Sequence, residues 1–156
     1  MKLPSLLTLA LASTTTTLAN PVPNPDANTN TNTLSKRGVE TVYLSNCITS
    51  GSVYNRSGMF YYPDGDQSQN GERPASGNYA SVNGGSLVFW EGKSVFGTFG
   101  TGVTFTSSIN AGSHSAFSYS GSGTNGYRTF SCYRDNERFL FNSASWGNCY
   151  SIYYCI

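Results

Sequence analysis

The chain has 156 residues, a formal net charge of +1 at pH 7, only 11% charged residues, 17 glycines and four cysteines. So small and balanced a charge leaves no basic face for nucleic acid or an anionic membrane. No segment approaches the roughly 20 apolar residues that a membrane-spanning helix needs.

The first residues read as a targeting device. Lys2 precedes a short apolar run, Leu3 to Ala12, and Thr17-Leu18-Ala19 offers a small-residue cleavage pattern, so residues 1–19 are expected to be a signal peptide. Ala10-Leu11-Ala12 is a second such pattern. Residues 20–37 are rich in Pro, Asn and Thr, with Val22 and Leu34 as their only candidate core residues, and cannot offset the entropy of ordering a backbone. That segment ends in Lys36-Arg37, a dibasic processing site, and is read as a disordered propeptide. The mature protein is then a single domain, 38–156, with Lys93 and five arginines against seven acids, a net charge of −1. Export, an extracellular location and a monomer are the expectation.

From Gly38 onward strand signals follow at short intervals. Val39 to Cys47 is β-rich, Asn55 to Gly58 reads as a turn, and Met59 to Tyr62 is apolar and aromatic. Gln67 to Ala80 reads as a polar loop. Strands are expected at Ser86 to Glu91 (SLVFWE), Val95 to Phe99, Val103 to Ile109 and Ala116 to Tyr119. The last stretch alternates strictly: Tyr127, Thr129, Ser131 and Tyr133 fall on one face, Arg128, Phe130, Cys132 and Arg134 on the other. Asp135-Asn136 has the chemistry of a two-residue hairpin turn, SASWGN that of a second turn, so Tyr127 to Cys155 is expected to be a three-stranded meander. No window carries a helical apolar stripe. The fold class is therefore all-β, a compact antiparallel β-sandwich or small Greek-key barrel, stapled by two disulfides.

Four cysteines in an exported chain give two disulfides and three connectivities. Cys149 and Cys155 lie about 20 Å apart on one extended strand, which sets that pairing last. Cys47 with Cys155 and Cys132 with Cys149 is the expected arrangement. A zinc site is disfavoured, because no C-x-x-C pair occurs and His114 is the single histidine. No cofactor motif is present.

Catalytic constellations are thin. His114 lacks a G-x-S-x-G nucleophile. Glu72, Glu91, Asp64 and Asp66 are the candidates for a glycosidase pair, with Glu91 the better placed, after Trp90. Asp64-Gly65-Asp66 lacks the closing glutamate of a calcium loop. Asn55-Arg56-Ser57 is an N-glycosylation sequon. Trp90, Glu91, Tyr61 and Tyr62 form the candidate ligand surface, and Tyr150, Tyr153 and Tyr154 add to a tyrosine-rich face suited to sugar or protein.

Two resemblances sharpen this picture. Trp90 followed seven positions later by Gly97, with Phe89 and Phe96 nearby, resembles the Greek-key signature of βγ-crystallin-like proteins. The leader, the Lys36-Arg37 junction and the small cysteine-bearing β-domain resemble small secreted cysteine-containing proteins of filamentous fungi. That resemblance implies an effector or elicitor acting without catalysis on a host protein or cell-wall glycan. A glycan-binding or weakly glycan-hydrolysing domain and an antimicrobial killer-toxin-like protein are the alternatives.

Overall fold

Val42 and Leu44 alternate with Tyr43 and Cys47, so the first strand is apolar on both faces, and both faces are buried. A strand of that kind belongs at the centre of a layered structure. The computed structural model describes residues 39–64, 68 and 71–156. The expected signal peptide, propeptide and Lys36-Arg37 processing site lie outside the described residues.

The described residues form nine strands: β1 (Thr41–Ile48), β2 (Arg56–Tyr62), β3 (Tyr79–Ser81), β4 (Lys93–Thr98), β5 (Thr104–Ile109), β6 (Tyr119–Thr124), β7 (Thr129–Arg134), β8 (Phe139–Ser143) and β9 (Gly147–Cys155). All named strands pair antiparallel in one sheet, ordered β3-β2-β1-β9-β7-β6-β5-β4, with β8 on β9 beside that path. The sheet curls until its ends nearly meet, where a Cβ built on Gly97 of β4 would lie 3.0 Å from the Cβ of Ala80 on β3. It is a nearly closed barrel. Consecutive strands are neighbours almost throughout, and β1 meets β9. The order is a meander joined through its first and last strands, and the Greek-key exchange expected of the sequence is not the connection the chain makes.

The closing region departs from expectation in one instructive way. Asp135-Asn136 does not reverse the chain. The Asp135 amide donates to Ile152 O and the Ser151 amide to Arg138 O, so β7 and β8 run end to end along one edge of β9, with residues 135–138 bulging opposite 151–152. Glu137 (φ +60°) takes up the extra length. A bulge and a tight turn ask for the same left-handed tolerance, so Asp-Asn signals both. The true reversal is the SASWGN turn between β8 and β9.

This arrangement overturns the expected disulfide pairing. With β9 between β1 and β7, antiparallel register sets Cys149 opposite Cys47 and Cys155 opposite Cys132, and these are the bonds: Cys47–Cys149 and Cys132–Cys155, each with Cα atoms 4.0 Å apart. Cys47–Cys155 and Cys132–Cys149 would join residues at opposite ends of β9.

Other segments are adjusted. SLVFWE keeps its alternation, with Val88 and Trp90 buried and Phe89 75% exposed, yet it makes only one bridge, Glu91 to Ile109. Side chains hold it instead: Trp90 Nε1 and Ser57 Oγ both donate to Asn46 Oδ1, and the Val88 amide donates to Ser57 Oγ. Asn55 to Gly58 is mostly strand, and Ala116 to Ser118 precedes β6. β3 begins at the end of the stretch expected to be a loop and runs one residue past it.

Two apolar clusters result. Val42, Leu44, Met59, Trp90, Phe105, Phe130 and the Cys132–Cys155 pair fill the barrel. Tyr43, Phe60, Tyr62, Leu140, Phe141, Trp146 and the Cys47–Cys149 pair form a second cluster on the other face of β1 and β2. Each cluster carries one disulfide.

Candidate functional site

The residues singled out in the sequence do not assemble into one surface. Trp90 is 1% exposed and Tyr62 is buried, its hydroxyl donating to Glu72 O, while Tyr61 packs against the barrel core near Phe99. Glu91 accepts a 2.5 Å hydrogen bond from the buried Tyr153 hydroxyl. The Asn55 amide folds over the β1–β2 turn, its Oδ1 accepting from Thr49 N and Oγ1 and its Nδ2 donating to Ser50 O.

Three of the carboxylates meet arginines. Glu40 meets Arg128 at 2.8 Å, Glu137 meets Arg134 at 2.6 Å, and Asp135 meets Arg138 at 3.5 Å. Arg73 donates to Asn142 O, and His114 lies beside Asn110 O and against the edge of Tyr153. Asp66 lies outside the described residues.

Five tyrosines titrate late. Burial, and then the Glu91 bond, pushes the Tyr153 hydroxyl well above the usual tyrosine range, and burial does the same for Tyr62. Tyr54, Tyr61 and Tyr154 are raised too, burial being the largest cause in each. These are acids that stay protonated longer in the native chain. The stability they contribute is fully present below the unfolded value of about 10 and is lost as the pH climbs from there through the native values, at up to about 1.4 kcal/mol per pH unit for each such group. The urea midpoint should therefore hold from pH 8 to 10 and drop steeply above it. A flat midpoint, with all 11 tyrosines ionising together near pH 10 by absorbance at 295 nm, would contradict this.

What the register does assemble is a row of aromatic rings. Tyr119, Tyr133, Tyr154, Tyr43, Phe60 and Tyr79 are successive direct partners across β6, β7, β9, β1, β2 and β3, so all six side chains stand on one face. The middle of the row, Tyr43 and Phe60, lies beneath the second cluster. The β6 end is open: Tyr119 is 57% exposed and meets Tyr133 edge-on at 6.0 Å, and Tyr133 stacks on Tyr154 at 5.5 Å with the rings 21° from parallel.

Beside the stacked pair lies a cavity of about 310 Å³ lined by Tyr43, Phe117, Asp135, Asn136, Arg138 and Tyr154. Its polar groups are held in place. Asp135 is 4% exposed; its Oδ1 accepts from the Asn136 amide, and its Oδ2 faces Arg138 Nε. Arg138 donates from its two terminal nitrogens to Ser68 O and Oγ, and Ser68 Oγ lies 2.6 Å from the Tyr43 hydroxyl. Phe117 closes the rim at φ +64°, a left-handed conformation unusual for a bulky residue, pinned by its amide donating to Arg134 O. It remains 61% exposed. Strain kept at an exposed ring beside a cavity is the kind found at ligand sites.

Sequence reasoning found Tyr154 as part of a tyrosine-rich face, but it missed Phe117, Asp135, Asn136 and Arg138 as a group. The signal was register, because five strands, β1, β3, β6, β7 and β9, each bring one tyrosine to the same row. Comparison with family models, curated proteins and solved structures gives no match for this chain.

Proposed function

We propose that this is an exported, non-catalytic carbohydrate-binding protein of the effector type, whose ligand is a cell-wall glycan laid on the Tyr119–Tyr133–Tyr154 row. One observation carries the reading: stacked, solvent-accessible rings lead into a cavity whose polar lining is Asp135, Asn136 and Arg138. A pyranose has an apolar C–H face and a rim of hydroxyls. Aromatic rings match the face, and fixed planar amide, carboxylate and guanidinium groups match vicinal hydroxyl pairs. The pairing of Glu40, Glu137 and Asp135 with arginines supports binding rather than hydrolysis, which needs two carboxyl groups flanking one bond. The leader and dibasic junction supply the setting, outside the cell, where such glycans are met.

Retention on insoluble chitin, β-glucan and xylan tests the reading. The protein should be held by one of them, and Tyr133→Ala should weaken retention about tenfold, the loss of one good ring contact. Trp90, although the most obvious aromatic in the sequence, is too buried to touch the ligand. Absence of retention on all three polymers, or binding unchanged in the Tyr119→Ala/Tyr133→Ala double variant with native circular dichroism, would overturn the proposal. For the effector role, infiltrating the purified protein into leaf tissue should induce defence responses that the double variant fails to induce.

A further inference from the structure

The sheet ends at β4, and that end is a second recognition surface of a different kind. β4 pairs with β5 through six unbroken register pairs, Lys93↔Ile109 to Thr98↔Thr104. Its other edge pairs with no strand among the described residues: β3, at the far end of the sheet order, sets the Ala80 side chain against the Gly97 backbone without a ladder. Along this edge runs an open groove of about 620 Å³, walled on one side by the whole of β4 and on the other by Asn83, Gly84 and Leu87 to Phe89. Phe96, on β4, is 68% exposed and Phe89, across the groove, 75% exposed.

Proteins commonly blunt such an edge with a proline, a bulge or a charge in mid-strand. KSVFGT has none of these; its one charge, Lys93, stands at the end of the strand and is the only charge among the described residues lining the groove. About half of the main-chain N–H and C=O groups of an edge strand point away from its neighbour, spaced at the repeat of another strand. A sugar cannot satisfy that repeat, and a polypeptide does so along its whole length.

We propose that the open edge of β4 docks an extended peptide segment of a partner protein, added as a further strand. One apolar side chain of the peptide seats between Phe89 and Phe96, and an acidic side chain lies opposite Lys93. This surface is separate from the tyrosine row and stands or falls independently of glycan binding.

The experiment selects a displayed library of linear random 12-residue peptides on the full chain, then measures amide hydrogen exchange with a synthetic copy of the enriched peptide. Enriched sequences should share an apolar residue with an acid a few positions away, and the peptide should slow exchange at amides of β4. Lys93→Glu and Phe96→Ser should each weaken peptide binding about tenfold or more while leaving polysaccharide retention unchanged. A copy of the peptide N-methylated at alternate residues should lose binding, because it can no longer pair with the edge. Equal binding by the methylated peptide, protection elsewhere than β4, or no enrichment over a Phe96→Ser bait would each overturn the proposal. So would concentration-dependent protection of β4 without peptide, which would make a second copy of the chain the occupant.

Discussion

Replacing both Cys47 and Cys149 with alanine should lower the unfolding free energy by about 4.7 kcal/mol, the loop-closure value for a link spanning roughly 100 residues. These cysteines are 102 positions apart. Removing Cys132 and Cys155, which are 23 apart, should cost less, about 3.4 kcal/mol by the same relation. The first loss is a large fraction of the 5–15 kcal/mol that holds a typical domain together. Urea unfolding of the two double variants under non-reducing conditions compares them directly. Equal costs, or the reverse order, would show that local packing around the sulfurs outweighs loop closure.

Gly147→Ala is expected to be among the most damaging single substitutions. Gly147 opens β9 at φ +67°, and a Cβ there would lie 2.0 Å from Ile48 O, at the end of β1, and 2.8 Å from the Cα of Thr49, just past it. The left-handed backbone alone costs an alanine about 1–2 kcal/mol. The steric overlap adds to this, because neither strand can retreat without breaking the β1–β9 ladder. A total of about 4 kcal/mol or more is expected, in the range single substitutions seldom reach. Thermal and urea unfolding of the oxidised variant would measure it. A loss under about 1 kcal/mol would mean that the β8–β9 turn can shift away from β1 at little cost.

Period two was the most legible property of the chain. It put Phe130 and Cys132 on one face and Thr129 and Ser131 on the other, and the first of these faces is the buried one. Glycine-rich β6 (YSGSGT) was harder to see. Of its residues only Tyr119 falls in an expected strand, because the glycines carry no alternating side chains; the space is filled from elsewhere, the Phe105 ring coming within 2.3 Å of where a Cβ on Gly123 would be. Such a strand is stabilised by its neighbour's side chain, which local sequence cannot reveal.

Register was illegible for a different reason. Choosing between a turn and a bulge at Asp135-Asn136 depends on whether β9 is already paired with β1, a contact more than 100 positions long-range. That single choice decides the disulfides and the site. Once β7 and β8 are collinear, Tyr133 meets Tyr154, and Asp135, Asn136 and Arg138 gather at the bulge instead of at a hairpin tip. The candidate site was hidden for the same physical reason as the cysteine pairing.

The position of β9 also imposes an order of events on the growing chain. This strand supplies a partner to β1, β7 and β8 and half of each disulfide, yet it is the last of the nine to be synthesised. Until it emerges, β1 and β7 have no neighbour to join them, and Cys47 and Cys132 have only each other for a thiol partner. The half-made chain therefore holds two pieces of sheet, β1–β3 and β4–β7, with no ladder between them and with two free thiols. Oxidation has to wait for the final strand, and a premature Cys47–Cys132 bond would have to be undone by disulfide exchange before β9 could take its place.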